Sequence, residues 1–233
     1  MLAYLIPFLT LCVCMTIAAP VNSTSTSDQP TIIVKNQCNS TLKVGYSKDV
    51  DYFGKVVNVA AGSTYTIHPP VGWSGRVWGR ESCSGDRCFD SGMGSPASLA
   101  EFHFLDSGNT FYDISFVDGY NLPMVVDPAS KSKSGDTDGR MCSKPSCKKL
   151  PECPAGWETY DDDGNVSGCK SACTKFNTDE YCCTGAYNGQ DLCSGNQYTK
   201  QVKDVCPDVY SYAYDDATSV FMCGTRTFTV TIC

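Results

Sequence analysis

Histidine is almost missing from this chain: its 233 residues hold two, His68 and His103. With so few imidazoles and no pair of CxxC knuckles, zinc is excluded as the reason for the many cysteines, and no metal or cofactor is expected. His68 precedes Pro69-Pro70 and His103 sits inside EFHFL. Neither has the context of a catalytic triad, so the D-S-G of FDSGMG is not read as a protease nucleophile turn. Basic residues are also scarce, since 18 Lys and Arg against 25 Asp and Glu leave a formal charge of −7. That sign excludes nucleic acid and anionic membranes as main partners and suits a neutral or basic ligand. Beyond residue 19 no run approaches the roughly 20 apolar residues of a membrane helix, and there is no solenoid-type repeat. DTDGR and DDDGN look like calcium-loop fragments, but neither has the full spacing ending in Glu, so both are read as polar turns.

What is abundant is cysteine, sixteen in all. Residues 1–19, MLAYLIPFLTLCVCMTIAA, carry no charge and end in small residues. They read as a secretory signal peptide, although Lys and Arg are absent from its start and Pro7 bends it. Cys12 and Cys14 fall inside it. The fourteen remaining cysteines predict seven disulfides in an exported, soluble, extracellular chain. Spacing alone leaves on the order of 10^5 pairings open. Sequons start at Asn22, Asn39 and Asn165, as in a secreted glycoprotein, and a monomer is expected.

Residues 20–30 form a polar, flexible lead-in. From residue 31 the chain turns to short β-prone runs (TIIVK, TLKVGY, KVVNV, TYTIH, GRVWGR) separated by Gly, Pro, Asn, Asp or Ser. The last stretch, TRTFTVTI, alternates strictly, with Phe228, Val230 and Ile232 on one face and Thr227, Thr229 and Thr231 on the other. An all-β sandwich or flattened barrel follows. Ten of the fourteen cysteines crowd into 128–224, where apolar residues thin out. That segment is read as a satellite held by staples because its own core is small. The expected layout is a core at 31–127, a disulfide-rich domain at 128–224 and a closing core strand at 225–233. One helix is predicted over 196–206, with Tyr198, Val202, Val205 and Cys206 on a common face and Pro207 ending it.

Five stretches in this order, GRVWGR (75–80), LAEF (99–102), FYDISFVDGYNLPM (111–124), CKSACTKFNTDEYCC (169–183) and CPDVYSYAYDDATS (206–219), resemble the thaumatin-like proteins, the pathogenesis-related class five. The likeness runs from about residue 31 to Cys233. It implies a flattened β-sandwich with a smaller disulfide-rich domain, and the pairs Cys38–Cys233, Cys142–Cys223, Cys147–Cys206, Cys153–Cys169, Cys173–Cys182 and Cys183–Cys193. Cys83 and Cys88 are left to pair with each other. Larger members carry sixteen such cysteines, so one bridge is missing here and the loop around SCSGDRC is short. The resemblance also implies a cleft lined by Arg76, Glu101, Asp113, Asp118 and Asp215, with Asp216 the adjacent alternative. Its implied function is binding of β-1,3-glucan, a cell-wall polysaccharide, in a defence, antifungal or wall-remodelling role. A weak endo-β-1,3-glucanase is the alternative, with Glu101 as general acid and Asp113 or Asp118 as nucleophile or base. A non-enzymatic defence or inhibitor protein acting by protein or membrane contact is the third reading.

Physical chemistry bears on those acids independently. Glycoside hydrolysis needs one carboxyl kept protonated and another ionised, and crowded carboxylates raise one another's pKa. An arginine among them can keep one ionised. Tyr112, Phe116 and Tyr120 are read as core or rim packing ahead of sugar-facing rings. The stretch FYDISFVDGYN poses a geometric problem. Asp113 and Asp118 are five apart, the wrong parity for one face of an unbroken strand. They converge only if the strand breaks near Val117–Gly119, and Asp118-Gly119 is a turn dipeptide.

Overall fold

In a computed structural model, residues 29–49, 51–130 and 139–233 are described. The signal segment, most of the lead-in, the Asn22 sequon and most of DTDGR lie outside the described residues.

Two sheets hold the core. One, in spatial order, is β4 (Thr64–Ile67), β1 (Thr31–Asn36), β13 (Thr227–Ile232), β8 (Met124–Pro128) and β9 (Ser146–Cys147). The other is β12 (Phe221–Cys223), β7 (Thr110–Ser115), β6 (Leu99–Phe104), β5 (Ser74–Arg80), β2 (Leu42–Lys48) and β3 (Lys55–Val59). The first strand and the last run parallel, Ile32 beside Phe228 and Val34 beside Val230. All other pairings within the two sheets are antiparallel. Alternation does what the sequence asks: Phe228, Val230 and Ile232 are fully buried while their threonine neighbours are not. From the facing sheet, Val44, Val77, Phe102, Phe104, Tyr112 and Ile114 join them in one core. Phe228 sits among Phe102, Phe104 and Tyr112, with ring centroids 4.8–6.0 Å away. A buried polar residue, Asn36, is accommodated by hydrogen bonding. Its amide donates to the carbonyls of Ser40 and Val59, both at 2.8 Å, and its oxygen accepts from the Cys38 N–H.

Residues 139–223 add a two-stranded ribbon, β10 (Glu158–Tyr160) and β11 (Val166–Cys169). They also supply four short helices: α1 (Ala172–Phe176), α2 (Asp179–Cys182), α3 (Gln197–Val205) and α4 (Asp216–Ser219). Strands β9 and β12 come from the same segment yet pair onto the two core sheets. Helix α3 begins one residue later than predicted because Asn196 is its cap. The Asn196 side chain accepts from Tyr198 and Thr199, and Thr199 answers with a bond from the Asn196 N–H. Thr199 and Cys206 are buried and Tyr198 and Val202 half-buried, but Val205 is exposed, so the helix face is rotated from the expected one. No helix among the described residues is long and apolar enough to cross a membrane.

Candidate functional site

Strand register builds the first wall of the site. In the six-stranded sheet Ser47 lies opposite Arg76, Arg76 opposite Glu101, and Glu101 opposite Asp113. Each alternates with an inward neighbour (Val77, Ala100, Phe102, Tyr112, Ile114) that fills the core, so the row stands on the outer face. Directly opposed residues hold their Cβ atoms about 4.5–5.5 Å apart, and like charges so placed repel. Arg76 lies beside Glu101: its Nε is 3.6 Å from Glu101 Oε1. Its Nη2 donates to the Asp49 carbonyl at 3.3 Å, and the guanidinium rides 5.5 Å over the Tyr52 ring.

The parity problem in FYDISFVDGYN is resolved by a break. Strand β7 ends at Ser115. A turn follows, closed by the Gly119 N–H donating to the Phe116 carbonyl at 3.0 Å. Gly119 takes φ +123°, and a Cβ there would lie 2.3 Å from the Cys169 carbonyl oxygen, so only glycine fits. Beyond it Tyr120 pairs with Cys169 of the ribbon. Asp118 is thereby swung to the same side as Asp113, its carbonyl held by the Thr174 hydroxyl of α1 at 2.8 Å.

The second wall comes from the segment that follows Cys206. Tyr210 pairs in parallel with Ser115, its N–H donating to the Ile114 carbonyl while its carbonyl accepts from Phe116. The chain then turns into α4. Arg76, Glu101, Asp113 and Asp118 meet Tyr52, Tyr210 and Asp216 around a cleft of about 370 Å³. Four of the five expected residues are brought together. Asp215 is not: it is 8 % exposed and faces inward. There its carboxylate accepts from the Ser211 N–H and hydroxyl and from Thr218, and pairs with Lys203 Nζ at 3.2 Å. The neighbour Asp216 stands on the cleft and accepts from the Tyr210 hydroxyl at 2.7 Å. A one-residue shift within a pair of identical side chains separates expectation from structure. The rings Tyr112, Phe116 and Tyr120 are buried in the core, which disposes of their sugar-facing alternative. The cleft's exposed ring is Tyr52, 55 % exposed, which no sequence pattern singles out. A second hollow of about 400 Å³ lies beside the ribbon, next to Asp161 and Asn165, and holds none of the five.

Burial dominates the electrostatics. It pushes Asp113 well above the ordinary carboxylate range, helped by the charges of Glu101 and Asp49 and opposed by Arg76. Glu101 is also raised by burial, but Arg76 is the next largest influence and pulls it down, ahead of Asp49 and Asp118 pushing up. Asp118 is raised by burial against the pull of Arg76. Asp113 Oδ1 and Arg76 Nε have no hydrogen-bond partner among the described residues. The cleft therefore presents buried carboxyls whose proton affinity is raised, next to a fixed cation, an arrangement able to grip hydroxyl groups or to pass a proton.

The sequence model of the Thaumatin family matches residues 36–233. The chain belongs to the thaumatin family. It is 39 % identical over 194 residues to thaumatin-like protein 1 of Pyrus pyrifolia, covering 75 % of this chain and 78 % of that one. It is 39 % identical to pathogenesis-related protein 5 of Arabidopsis thaliana over 189 residues, 74 % and 76 % of the two chains. A glucan endo-1,3-beta-glucosidase of Prunus avium is 34 % identical over 248 residues, covering 96 % and 98 %. The bridges of this thaumatin-family chain join Cys38–Cys233, Cys142–Cys223, Cys147–Cys206, Cys153–Cys169, Cys173–Cys182 and Cys183–Cys193, the six pairs that the resemblance implies, and Cys83–Cys88, the pair left over. The segment that follows the Cys83–Cys88 bridge is tied down by Arg80. Its buried guanidinium donates to the carbonyls of Pro96 at 3.0 Å, Asp90 at 2.9 Å and Ser95.

Proposed function

We propose that this chain is a secreted, monomeric defence or wall-directed protein that binds β-1,3-glucan in the acidic cleft. One observation carries the reading: a strand break at Val117–Gly119 and the turn before α4 deliver Asp118 and Asp216 to the cross-strand row Arg76–Glu101–Asp113. A neutral, hydroxyl-rich polymer suits a cleft of acceptors with one cation, whereas a polyanion does not. Seven disulfides fit an oxidising, extracellular destination, and the sequons at Asn39 and Asn165 fall on exposed residues open to glycans.

Weak endo-β-1,3-glucanase activity is the second reading, favoured by the upward push on buried carboxyls. The order of influences exchanges the roles expected from sequence. Asp113, pushed up most strongly, is the better proton holder and general acid. Glu101, beside Arg76, is the better ionised nucleophile or base. The test is to incubate purified protein with insoluble β-1,3-glucan and follow both depletion from solution and release of reducing ends. Depletion without release supports binding alone. Release that disappears in Asp113→Asn and in Glu101→Gln supports hydrolysis. Neither depletion nor release sinks the cleft as a glucan site.

A further inference from the structure

We propose that the acidic row is the middle of a longer groove whose far lobe is a sugar subsite with the Phe111 ring as its stacking platform, so that the protein takes an internal stretch of a linear glucan. The inference rests on the glucan-binding reading above. Two hollows share Arg76, Glu101 and Asp113 as a common floor. The first extends toward Leu99, Ser115 and Asp118. The second, about 250 Å³, extends the opposite way, toward Asp49, Ser74, His103 and Phe111.

Register explains the second lobe. Ser74 lies opposite His103 and His103 opposite Phe111. Each stands two residues along its strand from Arg76, Glu101 or Asp113. The two rows therefore run in parallel on one face, about 6.7 Å apart along the strands. The groove axis follows β6 and β7, and the acids sit between the lobes rather than at a closed end. A chain end is what a blocked groove selects; a row with room on both sides selects a chain interior.

Phe111 differs from a stray surface residue, which by itself needs no explanation. It is 38 % exposed while its neighbour Tyr112 is fully buried, as strand parity requires. Polar groups surround it in the lobe, with exposed His103 and Asp49 and with the Ser74 hydroxyl donating to Asp49. An apolar ring beside convergent donors and acceptors matches a pyranose, which has an apolar C–H face and a rim of hydroxyls. At the other lobe Tyr52 supplies the corresponding ring over Arg76.

Calorimetric titration of wild type and Phe111→Ala with linear β-1,3-linked glucose oligomers of increasing length tests the assignment, with thermal unfolding as a check on the fold. Wild-type affinity should rise once the oligomer spans both lobes. Phe111→Ala should abolish that rise, about a tenfold loss for long oligomers, and leave the shortest binders unchanged. Phe111→Tyr should restore it. Equal affinities of wild type and Phe111→Ala at every length would overturn the subsite, as would an equal loss at every length. Either result leaves the glucan-binding reading standing. Wild type that binds no oligomer of any length would remove both.

Discussion

The sandwich and the cysteine-rich segment solve the same problem with different means. The sandwich is held by apolar burial: its two sheets interlock through rings and branched side chains around Phe228, and one bridge, Cys38–Cys233, pins the parallel seam of β1 and β13. The segment from residue 139 to 223 has only a small aromatic knot, in which Trp157 packs on Phe176 and Tyr198 and Phe176 stacks on Tyr181 at 4.4 Å. Five bridges make up the difference. The cleft draws one wall from each. Arg76, Glu101 and Asp113 are placed by a β-ladder, whereas Asp118 and Asp216 depend on turns anchored in stapled chain. Ladder acids should thus resist perturbation that moves the others.

The most severe break on the sandwich side is Phe228→Ala. Removing a fully buried ring should cost about 3–5 kcal/mol, measured by denaturant unfolding, and abolish binding with it. On the stapled side, replacing Cys153 and Cys169 by serine opens a bridge 16 residues apart and should cost about 3 kcal/mol. Hydrogen exchange should then rise in β11 and the 116–120 turn, while β6 and β7 keep their protection. Unchanged exchange at the turn would deny that the ribbon positions Asp118. Next come the twin aspartates. Asp215→Asn should lower stability by about 2 kcal/mol through its lost charged hydrogen bonds, whereas Asp216→Asn should cost less than about 1 kcal/mol and weaken glucan binding instead.

The mildest test is by pH. Asp113, Glu101 and Asp118 hold protons in the folded chain at a pH where, unfolded, they would have lost them. The folded state therefore binds more protons, and stability must fall as pH rises from about 4 through the raised carboxyl range, with the full cost present above it. Asp113→Asn should flatten that fall and raise the melting temperature at neutral pH while weakening binding. A mutant that melts lower at neutral pH would mean that Asp113 is not strained there.

Sequence alone made much of this legible where a repeating physical rule applied. The period of two in TFTVTI foretold the buried face of β13, and helix α3 fell within one residue of its predicted ends. Motif likeness supplied the bridge partners that spacing left open. What escaped had no period. Whether Asp215 or Asp216 faces the cleft depends on one turn of backbone before α4. Tyr52 earns its place through a loop that approaches Arg76 only in three dimensions, and Val205 lies at the exposed end of its helix. Likewise β9 and β12 are too short to announce themselves, yet they carry the cysteine-rich chain onto both core sheets.

The three tryptophans fall in three separate packing environments. Trp73 lies in the sandwich core, and Trp157 in the aromatic knot of the stapled segment. Trp78, on β5, lies against Gly45, where a methyl group would come within 2.1 Å of the indole, forms a separate small cluster with Ala97 and Leu99, and donates its Nε1–H to the Cys88 carbonyl at 3.3 Å. All three are at least nine-tenths buried. The chain thus carries its own set of optical gauges. With the other two indoles replaced by phenylalanine, the emission of the survivor reports when its own region admits water. The order in which the sandwich core, the Trp78 cluster on β5 and the stapled segment come apart can then be read as three separate colour shifts, one from each unlabelled double variant.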